Sequence, residues 1–203
     1  MPWCRRPDLA IVRSTFAAVV LAVALPCAAD AASRGPKRTA VTEVIVHATG
    51  GPYCLGGKVR YSNAGDVGLM KRFFERSRVV AIHYIVGRDG TVAASVPETE
   101  IANHTRDNND GSIGIELINA GDGIDEYPEA QVTALARLVA DIRKRWKVPL
   151  AQVKGHDHVD QSTFSCGGRL VRRKQDPGPR FPWQRLRDEL VAAERAVPVA
   201  TRR

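Results

Sequence analysis

Three residues far apart in the chain carry the strongest chemical signal: His47, His156 and Asp176. His47 closes an apolar, β-branched run, Thr42-Glu43-Val44-Ile45-Val46-His47. His156 sits in Lys154-Gly155-His156-Asp157, and Asp176 lies in Lys174-Gln175-Asp176-Pro177-Gly178-Pro179. Two imidazoles and one carboxylate make a three-ligand set that leaves the fourth position of a zinc ion open to water, as hydrolysis requires. If the three converge, the chain is a metallohydrolase with one Zn2+. Each residue alone has a plainer reading. A lone histidine is more often structural than a ligand, and Asp-Pro is a common turn former. Both histidines, however, end strand-like runs, which places them at strand mouths.

Two further residues could work beside such an ion. Glu116 lies in the apolar run Ile113-Gly114-Ile115-Glu116-Leu117-Ile118, where a carboxylate should be paired or functional. Its structural alternative is a salt bridge to an arginine. Lys174 precedes Asp176 by two positions, so in an extended segment both side chains point the same way. Its ammonium could then stabilise an oxyanion; the alternative is one more solvated base in Arg172-Arg173-Lys174.

The elements that must hold these residues can be read from periodicity and punctuation. Residues 42–47, 79–86, 91–96, 112–119 and 153–156 read as strands, with Arg88-Asp89-Gly90 as the turn of a hairpin. Residues 48–66, rich in glycine, read as a loop. Residues 69–76 read as a short helix with Leu69, Phe73 and Phe74 at helical spacing. Residues 128–146 form the best helix, with Pro128 in its first turn and a stripe of Val132, Leu135, Leu138, Val139, Ile142 and Trp146. A last helix spans 183–195. Alternating helices and strands predict an α/β domain, with a mixed central β-sheet flanked by helices.

The 203 residues suit one domain with a real core, and no repeat is visible. Arg5, Arg6 and Arg13 precede the apolar residues 16–29, which have the length of a signal-peptide core and are short for a membrane span. Residues 1–31 are therefore expected to be a signal peptide cut near Ala29-Asp30-Ala31, with a retained anchor as the alternative. Residues 32–40 read as a linker, 41–195 as the domain and 196–203 as a flexible tail. Cleavage would leave no stable membrane span and a periplasmic or secreted protein. It would also leave two cysteines, Cys54 and Cys166, which an oxidising compartment favours as a disulfide; two free thiols are the alternative. Net charge is +8, and losing the three arginines and two aspartates of residues 1–31 leaves +7. That favours an anionic partner. No interleaving of bases and aromatics suggests nucleic acid.

Five segments occur in order: the strand ending in His47; Ile82-His83-Tyr84-Ile85-Val86-Gly87-Arg88-Asp89-Gly90; Ser112-Ile113-Gly114-Ile115-Glu116-Leu117; Gly155-His156; and Lys174-Gln175-Asp176-Pro177-Gly178-Pro179. In this the chain resembles the zinc-dependent N-acetylmuramoyl-L-alanine amidases of the type-2 amidase family, related to phage lysozyme-type amidases and peptidoglycan recognition proteins. The resemblance covers roughly residues 40–190. It implies a single α/β domain that takes peptidoglycan or muropeptides. It also implies His47, His156 and Asp176 as zinc ligands, Glu116 as the proton shuttle, Lys174 as the second catalytic residue and His104 at the substrate cleft.

One departure is an insert of about ten residues between His156 and Asp176, containing Cys166-Gly167-Gly168 and expected to form an extra loop over the cleft. Cys166 is thereby a rival third ligand, since some members use cysteine there. Other functional readings are a wall-binding module without turnover, or a zinc hydrolase of another acyl-amino-acid amide.

Overall fold

The computed structural model describes residues 35–195. The expected leader, residues 32–34 and the expected tail lie outside them. Residues 35–40 are no loose linker. Lys37 pairs with Glu100 in a lone β-bridge. The Arg38 guanidinium donates to the carbonyls of Glu98, Asn109 and Ser112 at 2.9, 3.2 and 2.6 Å. Five donors on one planar group can satisfy several loop carbonyls at once, which composition does not reveal.

The centre of the domain is a five-stranded sheet in the order β5-β4-β6-β1-β7. Its strands are β1 (Glu43–Ala48), β4 (Tyr84–Val86), β5 (Val92–Ala94), β6 (Ser112–Leu117) and β7 (Val153–Gly155). All neighbours run parallel except β5, which returns antiparallel on β4. The strand expected over 79–86 shortens to Tyr84–Val86, and the one after Gly90 to Val92–Ala94.

Side-chain alternation divides the sheet into two unlike faces. Val44, Val46, Ile113, Ile115 and Leu117 join one core with Leu135, Val139 and Ile142 of α2 (Glu129–Trp146) and with Leu186 and Leu190 of α4 (Trp183–Arg195). The expected stripe on α2 is buried at Val132, Leu135, Val139 and Ile142, while Leu138 and Trp146 pack at its margin. Buried Gln131 at the start of α2 donates to the carbonyls of Val86 and Ile118 at 3.0 and 3.2 Å, so the helix also satisfies strand-end backbone.

The opposite face is only partly covered, by α1 (Val67–Arg76). Asp66 caps this helix, its side chain accepting from Leu69 N–H at 2.7 Å. Phe74 alone in α1 is buried, against Ile82, Ile85 and Ile118. Leu69 and Phe73, expected on the same apolar face, are 50% and 52% exposed. The helix expected over 69–76 is present, and it covers too little of the sheet to bury all three large side chains.

Two stretches read as loops are hairpins. Residues 48–66 contain β2 (Pro52–Leu55) and β3 (Lys58–Tyr61), and the insert after His156 contains β8 (Thr163–Cys166) and β9 (Arg169–Arg172). Each turns through a Gly-Gly pair at positive φ, the backbone a tight two-residue hairpin demands. Cys54 and Cys166 are joined in a disulfide that ties one hairpin to the other, across a sequence separation of 112. Closing so long a loop stabilises chiefly by restricting the unfolded chain, so Cys54→Ala and Cys166→Ala should each cost about 2–4 kcal/mol. Because they remove one shared bond, the double variant should cost no more than either single one in thermal denaturation. Additive losses would mean the two sulfurs do not act together. Among the described residues no helix is long and apolar enough to cross a membrane.

Candidate metal centre and cleft

His47 and Glu116 stand opposite each other in the register of β1 and β6, both on the face turned away from α2 and α4. The same period of two that buries Val44, Val46, Ile115 and Leu117 delivers an imidazole and a carboxylate to one spot. β7 pairs with β1, Val46 opposite Gly155, and His156 follows as the first residue of α3 (His156–Val159). All three side chains therefore lie at the carboxyl ends of parallel strands, where open α/β sheets place ligands.

Asp176 arrives from the loop after β9. Its carbonyl accepts from Asp157 N–H at 3.0 Å, and Tyr127 O–H donates to Pro177 O at 2.5 Å. Gly155 permits the approach: a Cβ there would lie 2.8 Å from Pro177 Cδ and 2.3 Å from Asp157 Oδ1.

Three donor atoms converge. His47 Nδ1 and His156 Nδ1 are 2.8 Å apart, and Asp176 Oδ2 lies 3.3 and 3.1 Å from them. All three residues are buried. Burial pulls the His47 pKa down to about 4, against the opposing pull of Asp176, so its imidazole is neutral at pH 7. Burial alone would raise the Asp176 pKa, but the contacts with His156 and His47 outweigh it and hold the carboxylate well below its usual range. Two imidazoles and an anion turned on one point suit a cation. Bonds of 2.0–2.1 Å in a tetrahedron set donor atoms about 3.3 Å apart, close to the spacing found here. Cys166, the rival ligand, is committed to the disulfide.

Among the described residues Glu116 has no arginine partner, and its Oε2 is buried without any hydrogen bond. Burial, reinforced by the charge of Asp176 and opposed by Lys174, pushes its carboxyl up to about 8. Lys174 also acts electrostatically on His47, so its ammonium lies near both groups. These residues line a cleft of about 450 Å³. Its walls include Tyr53 of the first hairpin, Met70 and Phe73 of α1, and Arg173. Phe73 thus owes its exposure to the cleft. Nothing in its spacing separated it from a core residue.

His104 also borders the cleft, yet neither ring nitrogen is free: Nδ1 lies 3.0 Å from His47 Nε2 and Nε2 lies 3.2 Å from Ser112 Oγ. Asn109 accepts from the N–H groups of His104 and Thr105 at 3.0 and 2.9 Å and donates to Asn103 Oδ1 at 2.9 Å. His83 packs behind His104, its Nδ1 accepting from Gly114 N–H at 3.0 Å. His158 is exposed and bonds Asp157. No local pattern singles out Ser112, although Ser112, Gly114 and Glu116 share the site face by alternation.

Fold and donors together define an α/β domain with a candidate metal site at the carboxyl ends of its parallel strands. The chain belongs to the type-2 N-acetylmuramoyl-L-alanine amidase family, which it matches over residues 37–179. It is 34% identical over 113 residues to the N-acetylmuramoyl-L-alanine amidase AmiD of Escherichia coli, covering 48% of this chain and 37% of AmiD. It is 32% identical over 118 residues to the 1,6-anhydro-N-acetylmuramyl-L-alanine amidase AmpD of Citrobacter freundii, covering 53% of this chain and 56% of AmpD. The chain thus spans between about a third and a little over half of these relatives.

The structure of E. coli AmiD with the substrate anhydro-N-acetylmuramic acid-L-Ala-D-γ-Glu-L-Lys superposes with a TM-score of 0.55 at 27% identity, over 75% of this chain and 58% of AmiD. The amidase LysC of Clostridium intestinale shares the fold at a TM-score of 0.52 and 17% identity, over 78% of this chain and 92% of that one.

Proposed function

We propose that the chain hydrolyses the amide between the lactyl group of N-acetylmuramic acid and L-alanine, in peptidoglycan or its soluble fragments, with one zinc ion held by His47, His156 and Asp176. The observation that carries this is the buried convergence of those three donors beside Glu116, a carboxylate with an unpartnered oxygen facing the same cleft. When bound, zinc supplies a Lewis acid that polarises the scissile carbonyl and makes water acidic enough to attack near neutral pH.

Glu116 takes the proton from the attacking water and passes it to the nitrogen of the leaving L-alanine. Lys174 offsets the negative charge that grows on the carbonyl oxygen. Tyr53, Phe73 and Arg173 are positioned to bear on the substrate beyond the reacting bond. A periplasmic or secreted location agrees with the disulfide and with a wall substrate. Residues 1–31 would then serve as the export signal.

Incubating the protein with purified muropeptides should release free stem peptide, with loss of activity on chelation and recovery with zinc. Release of new reducing ends instead would make it a glycosidase, and tight wall binding with no product would make it a binding module.

Glu116 must be ionised to accept a proton. Its pKa is raised, so the active form is lost as pH falls through that value; a bound dication lowers the value by favouring the charged form. The kcat/KM should therefore rise about tenfold per pH unit on the acid side and level off between roughly pH 6 and 8. A rate that climbs on acidification would remove Glu116 from the role of base.

A further inference from the structure

We propose that His104 is a positioning residue that fixes the tautomer of His47, and that the direction of this control is set by the backbone carbonyl of Asn108. The inference follows from a four-membered hydrogen-bond chain on the site face of the sheet. Ser112 Oγ makes a short contact with Asn108 O. A carbonyl oxygen can only accept, so the single hydroxyl proton of Ser112 points at it. Ser112 Oγ must then accept from His104 Nε2, 3.2 Å away, which places the ring proton of His104 on Nε2. His104 Nδ1 is left as an acceptor facing His47 Nε2 at 3.0 Å. The proton of His47 is thereby fixed on Nε2, and its Nδ1 lone pair is turned toward His156 and Asp176.

The rest of the structure holds His104 to this task. Asn109 Oδ1 accepts from the backbone N–H groups of His104 and Thr105. The ring lies against Gly114, where a Cβ would stand 2.5 Å from His104 Cγ and 2.6 Å from Nδ1. The imidazoles of His47 and His104 meet edge-on, with centroids 5.1 Å apart. His156 has no such support, since its Nε2 is buried without a partner. The two histidines are therefore unequal: the far ring nitrogen of His47 meets a partner and that of His156 meets none.

This rests on reading His47 as a metal ligand, and the test separates the two. Zinc affinity is measured by competition with a chelator of known affinity, for the wild type, His104→Phe, His104→Asn and Ser112→Ala. Phenylalanine fills the space but cannot accept; asparagine can present an oxygen near the place of Nδ1. We expect zinc binding about 10–100-fold weaker in His104→Phe, several-fold weaker in Ser112→Ala and within a few-fold of wild type in His104→Asn. A wild type that binds no zinc would overturn the ligand reading itself. Zinc binding by His104→Phe equal to that of a zinc-binding wild type would overturn only the role of His104.

The second readout needs no folded variant. Nitrogen-15 spectra of the metal-free wild type above pH 7 should show the His47 proton on Nε2. A proton on Nδ1 would sink the proposal, and a merely structural His104 would leave His47 a mixture of tautomers.

Discussion

Replacing Asp176 with asparagine or alanine is expected to abolish metal retention. It is the one anionic donor in the trio, and the neutral state of His47 leaves the charge of a dication to be balanced by this carboxylate alone among the three. An opposite charge at contact distance contributes at least about 4 kcal/mol even at a protein-like effective dielectric, so affinity should fall by three orders of magnitude or more. Asp176→Asn keeps the shape and the acceptor, and so separates charge from packing. Its metal content after gel filtration should be near zero, with the metal-free fold intact. Cys166→Ala, by contrast, should retain a full equivalent of metal while losing stability. The reverse pattern would return the third ligand to Cys166.

Glu116→Gln is expected to lower kcat by about 10²–10⁴ with metal content unchanged, as for loss of a general base. The substitution keeps the volume of the side chain and removes its charge. It should also act on stability with a definite sign. In the metal-free protein Glu116 has a raised pKa, so folding favours its protonated form. That advantage is complete below the unfolded value near 4.5 and is lost as pH rises through about 8. Metal-free Glu116→Gln should therefore gain most over wild type in thermal denaturation above pH 8. If the variant kept full activity, another group would have to move the proton.

The parts of this architecture that could be read from sequence are those with a simple period. Val44, Val46, Ile113, Ile115 and Leu117 announce a sheet, and α2 announces itself through Val132, Leu135, Val139 and Ile142. The donor trio was legible because chemistry restricts which side chains can serve, and the order of the motifs fixed which histidines to pair. What stayed hidden depends on relations that periodicity does not encode. The two hairpins are short, and their strands are mostly exposed, so they carry no hydrophobic alternation. Phe73 shares helical spacing with buried Phe74, yet it lies in the cleft because α1 covers too little of the sheet to bury it. Ser112 and Asn109 look like ordinary polar residues until the fold sets them around His104. Arg38 falls in a stretch whose composition reads as a spacer, yet it ties together the carbonyls of Glu98, Asn109 and Ser112.

The hairpins β2–β3 and β8–β9 form two small sheets of their own and add no strand to the central one. Tyr53 reaches the cleft from one of them, while Arg173 follows directly on the other. The wall they build is a bolted-on panel: sequence drift there can reshape what the cleft admits while the side chains behind it keep their spacing.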